Sequence, residues 1–210
     1  MSAPEIIKKS DGLIDRRILV ANLMHDRSDD LLVVAGLGSP CYDLMAAGDH
    51  PLNFYLWGAM GGAVPMAIGL AAAQPTKRVL ALTGDGEVLM GLTGLAAAGA
   101  EGLDNLVVIV LDNGRYGETG QQLTHTARGV DLVQTAVGLG FKSTRRIDST
   151  EEATELRDWM QSVQGPAFAL VHPSSLLTGR RKTAKVSDTP RAEALINTKT
   201  AAAKNPRLNR

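Results

Sequence analysis

Two short segments gather residue types that suit a hard cation and an anion. Gly84-Asp85-Gly86-Glu87 follows the apolar run VLALT, and Asp112-Asn113-Gly114-Arg115-Tyr116-Gly117 follows LVVIVL. A carboxylate and an amide oxygen on adjacent strand ends suit Mg²⁺, which takes one or two protein carboxylates together with phosphate oxygens. Flanking glycines let the backbone approach a ligand closely, and the free amides at a following helix start favour an anion such as a phosphate. By itself a Gly-Asp-Gly triplet is a common way to end a strand. The spacing adds weight, because 25 residues separate Gly86 from Asp112. The residues point to a Mg²⁺-diphosphate site.

These loops meet only if their strands lie side by side. Between Ile14 and His172, β-branched runs alternate with stretches rich in Ala, Leu and Gly, the pattern of repeated β-α units. Predicted strands are Leu31–Ala35, Asn53–Trp57, Val79–Thr83, Leu106–Leu111, Lys142–Ile147 and Ala167–Val171. VLALT and LVVIVL are apolar on both faces, as central strands covered by helices on both sides must be. Predicted helices span Ile14–Met24, Gly62–Ala73, Leu89–Ala100, Val130–Leu139 and Thr150–Val163, with Pro65 in a first turn where a missing N–H costs little. The expected fold class is α/β: one doubly wound, mostly parallel six-stranded sheet with helices on both faces. Ligands bind beyond the carboxyl ends of such strands, where both loops lie.

With its strand-helix-strand setting, the Gly-Asp-Gly and Asp112-Asn113 pair resembles the motif of thiamine diphosphate (ThDP) enzymes, in which a paired Asn follows GDG at this distance. Asp112 departs from the pattern, standing where the family usually has its first Asn, whereas Asn113 keeps the second, metal-binding position. The resemblance implies that Asp85, Asn113 and the backbone carbonyl of Arg115 hold the metal, and that Gly84, Gly86, Tyr116 and Gly117 lie against the cofactor. Upstream, Trp57-Gly58-Ala59-Met60-Gly61-Gly62 resembles the family segment whose carbonyl, here that of Gly58, accepts from the cofactor's 4′-amino group. Its bulky apolar side chain, here Met60, props the bent cofactor. Read alone, the segment is equally a glycine turn into a helix. Ala35-Gly36-Leu37-Gly38-Ser39-Pro40 resembles the loop that reaches the diphosphate or the substrate, which would bring in Gly36 and Ser39. It also reads as a plain strand-to-helix turn capped by Ser39. Glu87 stands where many relatives have Ser or Ala. Its carboxylate is expected to face away from a diphosphate, or to meet the metal through water.

The resemblance covers residues 31–173, the expected ThDP diphosphate-binding domain, after a helical lead-in over 1–30 and before a basic extension over 174–210. Family members also use a pyrimidine-binding domain carrying the glutamate that activates the cofactor. The 30 residues before the first strand are too few for it, so a pyrimidine-binding α subunit and a hetero-oligomer are expected. The stretch Tyr116-Gly-Glu-Thr-Gly-Gln-Gln-Leu-Thr124 is most similar to that of sulfopyruvate decarboxylase β subunits and phosphonopyruvate decarboxylases. The implied reaction is loss of CO₂ from a small anionic 2-keto acid, releasing an aldehyde, with the cofactor's cationic ring as electron sink. Glu118, Thr119, Gln121, Gln122 and His125 are then candidates around the substrate, and Arg115 or Arg128 for its anionic end. His25, His50 and His172 have no motif and read as structural. The same motifs permit an acetolactate-synthase-like carboligase or a non-catalytic regulatory subunit.

Composition bounds these readings. The 210 residues are 44% hydrophobic with 22 Lys/Arg balancing 22 Asp/Glu, and no apolar run approaches the roughly 18 to 20 residues of a membrane span. One cysteine, Cys41, excludes an intramolecular disulfide, and the charged start lacks a secretory apolar segment, so a soluble cytoplasmic protein is expected. Residues 174–210 carry nine Lys/Arg against two acids without interleaved aromatics, which favours a solvated or partner-packed arm over nucleic-acid binding.

Overall fold

A computed structural model of the chain describes residues 14–173. The basic extension over 174–210 and the first part of the lead-in lie outside them. Helix α1 (Arg16–Met24) starts where the Asp15 side chain accepts from the Arg17 amide. Then follow β1 (Leu31–Ala35), α2 (Ser39–Ala46), β2 (Asn53–Tyr55), α3 (Ala63–Ala73), β3 (Arg78–Gly84), α4 (Asp85–Met90), α5 (Leu92–Glu101) and β4 (Leu106–Leu111). A short hairpin, β5 (Arg115–Tyr116) and β6 (Gln122–Leu123), precedes α6 (Leu132–Gly138), β7 (Ser143–Ile147), α7 (Thr150–Ser162) and β8 (Ala167–Val171).

Six strands form one sheet in the order β2-β1-β3-β4-β8-β7, and every pair is parallel. The two doubly apolar strands, β3 and β4, are central, as their sequences require. Alternate residues of each strand feed two separate cores. Val33, Leu80, Leu82 and Ile109 pack with Leu23, Leu44, Leu156 and Met160 on the face covered by α1, α2 and α7. Val34, Ala81, Val108 and Val110 pack with Val64, Ala67, Leu95 and Leu132 on the face covered by α3, α5 and α6. Each such fully buried Leu or Ile contributes about 1.5–3 kcal/mol by leaving water. Helix α1 is also fastened to α2 by an ion pair from Arg16 Nε to the buried Asp43 Oδ2 at 2.6 Å.

Beyond shifts of one or two residues at element ends, the structure departs from the prediction at β2, α4–α5 and α2. Strand β2 ends at Tyr55, and Trp57 leaves the sheet to meet Tyr42 edge to face, ring centres 5.2 Å apart. The stretch predicted as one helix over Leu89–Ala100 is two, broken at Gly91, where a side chain would lie only 2.2 Å from the Gly61 carbonyl oxygen. Helix α2, not among the predicted helices, follows the expected strand-to-helix turn, with Gly38 rather than Ser39 at its N-cap. Among the described residues, no helix is long and apolar enough to cross a membrane.

Candidate functional site

The strand order reverses between β1 and β3. The chain leaving β1 turns into α2 on one face, and the chain leaving β3 turns into α4 on the other. A crevice therefore opens beyond their carboxyl ends, where open α/β sheets bind ligands. Gly84, Asp85 and Gly86 form its floor, Leu37 to Pro40 one wall, and Asn113, Arg115 and Tyr116 the other. Met60 stands at one end and Arg16 and Pro173 also line it. Helix α2 presents its first residues to this cleft, and a helix N-terminus favours an anion there.

Asp85 is the first residue of α4, directly after β3, so its backbone position is set by the sheet. Its Oδ2 accepts from Thr124 Oγ1 at 2.5 Å and from Thr126 Oγ1 at 3.1 Å. Burial pushes its carboxyl up to about 6, the two threonine hydroxyls pull it down, and the neighbouring Asp112 carboxylate pushes it further up. Such a group gains by meeting a cation. Thr126 Oγ1 also lies 2.9 Å from Asp112 Oδ1, so its single proton is shared between the two acids.

Two successive Asx turns shape the loop after β4. Asp112 Oδ1 accepts from the Gly114 amide at 2.9 Å, and Asn113 Oδ1 accepts from the Arg115 amide at 2.9 Å. The Asn113 oxygen is thereby held toward its own turn and keeps a second lone pair. Gly86 is needed for close approach, since a Cβ there would lie 2.4 Å from Tyr116 Cε1. The ring of Tyr116 thus packs directly on the Gly-Asp-Gly turn.

The residues expected around the substrate divide. Glu118 and Thr119 reach the cleft. Gln121, Gln122 and His125 are exposed and are not among the residues lining it. Gln121 closes the hairpin loop just before β6 with φ +65°, and Gln122 Oε1 accepts from Thr119 Oγ1 at 3.0 Å, so these glutamines shape the hairpin that carries Glu118. Gly36, Gly58 and Gly117 border the cleft segments without lining it, while Ser39 does line it. Glu87 lines the cleft but is only 3% exposed, because its carboxylate is taken up by protein partners: Oε2 accepts from Thr83 Oγ1 at 2.6 Å and Oε1 from the Ala63 amide at 3.2 Å.

Several neighbours of the site carry no sequence signal. Thr124 is fully buried on Asp85, and Thr126 bridges Asp85 and Asp112. His172, which reads as structural, stands at the edge of the site. Its Nε2 is 3.6 Å from Asp112 Oδ2 and its Nδ1 is 2.5 Å from Asp148 Oδ1.

Asp85 and Asn113, which line the cleft from neighbouring strand ends, carry a carboxylate and an amide oxygen, hard donors of the kind that fits Mg²⁺. Among the described residues, no three His, Cys, Asp or Glu side chains gather as a metal cage. A cation here would complete its shell with backbone, water and ligand oxygens, as Mg²⁺ commonly does.

Residues 39–171 match the model of the thiamine pyrophosphate enzyme C-terminal TPP binding domain. The chain is 39% identical over 143 residues to the sulfopyruvate decarboxylase subunit beta of Methanothermobacter thermautotrophicus, covering 68% of this chain and 74% of that one. It is 32% identical to the phosphonopyruvate decarboxylase of Streptomyces viridochromogenes, over 88% of this chain and 47% of that protein. A sulfopyruvate decarboxylase of Methanosarcina acetivorans is 40% identical over 60% of this chain, which spans only 33% of that relative. Among solved structures, an X-ray structure described as that of a thiamin diphosphate-dependent enzyme from Mycobacterium smegmatis superposes with a TM-score of 0.62 at 28% identity. That match covers 76% of this chain and 31% of the other.

Proposed function

Since the chain belongs to the thiamine pyrophosphate enzymes through their C-terminal TPP-binding domain, we propose that it is the diphosphate- and Mg²⁺-binding subunit of a two-chain 2-keto acid decarboxylase. The substrate is a small anionic 2-keto acid such as sulfopyruvate or phosphonopyruvate, and the products are CO₂ and an aldehyde. The observation that carries this reading is the pairing of Asp85 and Asn113 on the ends of adjacent strands β3 and β4, in one cleft with Met60. The two-chain arrangement is supported by likeness to proteins named as β subunits.

Each residue has a task in this proposal. Asp85 and Asn113 supply side-chain oxygens to the metal, and the Arg115 carbonyl supplies a third. Tyr116, packed on Gly86, keeps the floor of the cleft flat enough for a diphosphate. The first amides of α2 and Ser39 face that anion from the opposite wall. The Gly58 carbonyl accepts from the cofactor's amine, and Met60 supports its bend. When bound, the cofactor supplies an electron sink for the carbon from which CO₂ departs. Glu118 and Thr119, which reach the cleft from the hairpin, contact the substrate. Gln121, Gln122 and His125 stay candidates only if the hairpin closes inward. A pyrimidine-binding partner carries the activating glutamate.

The test is to recover the complex of this chain with its partner, load ThDP and Mg²⁺, and supply sulfopyruvate, phosphonopyruvate and pyruvate separately. CO₂ and aldehyde in equal amounts from one of them are expected. Absence of both from every substrate overturns the proposal, and a carboligation product in place of aldehyde assigns an acetolactate-synthase-like reaction.

A further inference from the structure

Glu87 is a buried carboxylate with no place in the motif, and its partners come from three separate segments. Oε2 accepts from Thr83 at the end of β3, and Oε1 accepts from the Ala63 amide at the start of α3. Toward β1 it presses on the backbone so closely that a Cβ on Gly36 would lie 1.6 Å from Oε2. Burial raises the Glu87 pKa, while Thr83 and the amides of Ala63, Gly61 and Leu37 favour its charged form.

We propose that Glu87 is a positioning residue that brackets the three segments of the cofactor cleft, holding the loop 36–38 and the loop 58–62 at fixed height above the Gly-Asp-Gly floor. The segments come from β1, from the entry to α3 and from β3; the backbone joins β1 to β3 through the Gly36 amide on the Leu82 carbonyl, and Glu87 adds a side-chain tie to the entry of α3. A single side chain reaching across the crevice where the strand order reverses ties them together. Only glycine at position 36 leaves room for it, and Glu87 is itself among the residues lining the cleft. The consequence for the site is geometric. Met60, Leu37 and Gly38 line the cleft from the two loops that Glu87 holds, so the cleft's width follows from this one residue. The inference rests on the cofactor reading of the cleft only for its functional consequence, and the bracket itself is a property of the chain alone.

Two measurements test it on the full chain with its partner. The first is backbone hydrogen exchange without cofactor, comparing the parent with Glu87→Ala, Glu87→Gln and Thr83→Val. Exchange over 36–39 and 59–66 is expected to rise at least tenfold in Glu87→Ala and by less in Glu87→Gln, which keeps one acceptor. Exchange over β4 (Leu106–Leu111) is expected to stay unchanged, because that strand is not touched. The second is the steady-state response to ThDP, whose apparent KM should rise about 10- to 100-fold, as for other outer-shell supports, while the KM for the 2-keto acid holds. Unchanged exchange in both loops in a folded Glu87→Ala overturns the bracket. If Glu87→Ala does not fold, unchanged exchange in both Glu87→Gln and Thr83→Val does so. Failure of the parent itself to bind ThDP would overturn the cofactor reading and leave the exchange result standing.

Discussion

Thr124 and Asp85 lie 39 residues apart in the chain and meet through a 2.5 Å hydrogen bond from Thr124 Oγ1 to Asp85 Oδ2. Both are buried, and the bond joins the segment after the hairpin to the floor of the cleft. It fixes the orientation of the Asp85 carboxylate at the floor of the cleft.

Thr124→Val removes that hydroxyl and keeps the volume. Mg²⁺-dependent ThDP affinity should fall about 10- to 100-fold, the usual cost of losing an outer-shell partner, and Thr124→Ser should recover most of it. Titration calorimetry reads the effect. Equal affinity in Thr124→Val would show that the Asp85 orientation is set elsewhere.

The metal-free chain should show a pH dependence at Asp85. In the folded state burial pushes this carboxyl up to about 6, against roughly 3.9 in an unfolded chain. The folded form therefore holds the proton longer, so its stabilising contribution is complete below about pH 4 and is lost as pH rises through about 6. Asp85→Asn, which never ionises, should be more stable than the parent above pH 6 by about 1–3 kcal/mol. Thermal melts of the metal-free proteins at several pH values check this, and a parent more stable than Asp85→Asn at pH 8 would contradict it.

Met60→Ala should separate binding from turnover. Met60 is not among the proposed metal donors, so Mg²⁺ and ThDP should still bind, while a looser cofactor lowers kcat by about 100-fold. Unchanged kcat in the loaded complex would remove the supporting role.

Cys41 should be inert in the native protein. It is completely buried on α2, its thiol donates to the Ala35 carbonyl at 3.4 Å, and burial pushes its pKa up to about 12. A thiol reagent at pH 8 should find no reactive group in the folded chain and one after denaturation. Fast native labelling would contradict its placement against β1.

Most of the frame is legible in the sequence, because strands apolar on both faces have few other places to go. LVVIVL and VLALT can only be central, and their loops then lie side by side at the carboxyl end of the sheet. Asp85 and Asn113 are legible through their spacing on those strands. The hairpin is not, since its two-residue strands are too short to show alternation. Thr124 and Thr126 are invisible for a different reason: a threonine signals nothing until a fold sets it 2.5 Å or 3.1 Å from a carboxylate. Glu87 reads as a charge to be kept out of the way, and only the packing shows that its place is inside, beneath Gly36.

The most direct measurement is calorimetric titration of the purified complex with ThDP, with Mg²⁺ and then with a chelator, for the parent and for Asp85→Ala. Saturable binding of one ThDP per copy of this chain is predicted, lost on chelation and weakened more than about 100-fold in Asp85→Ala. Binding of parental strength with the chelator present or in a folded Asp85→Ala would contradict the assignment of the cleft as a Mg²⁺-diphosphate site.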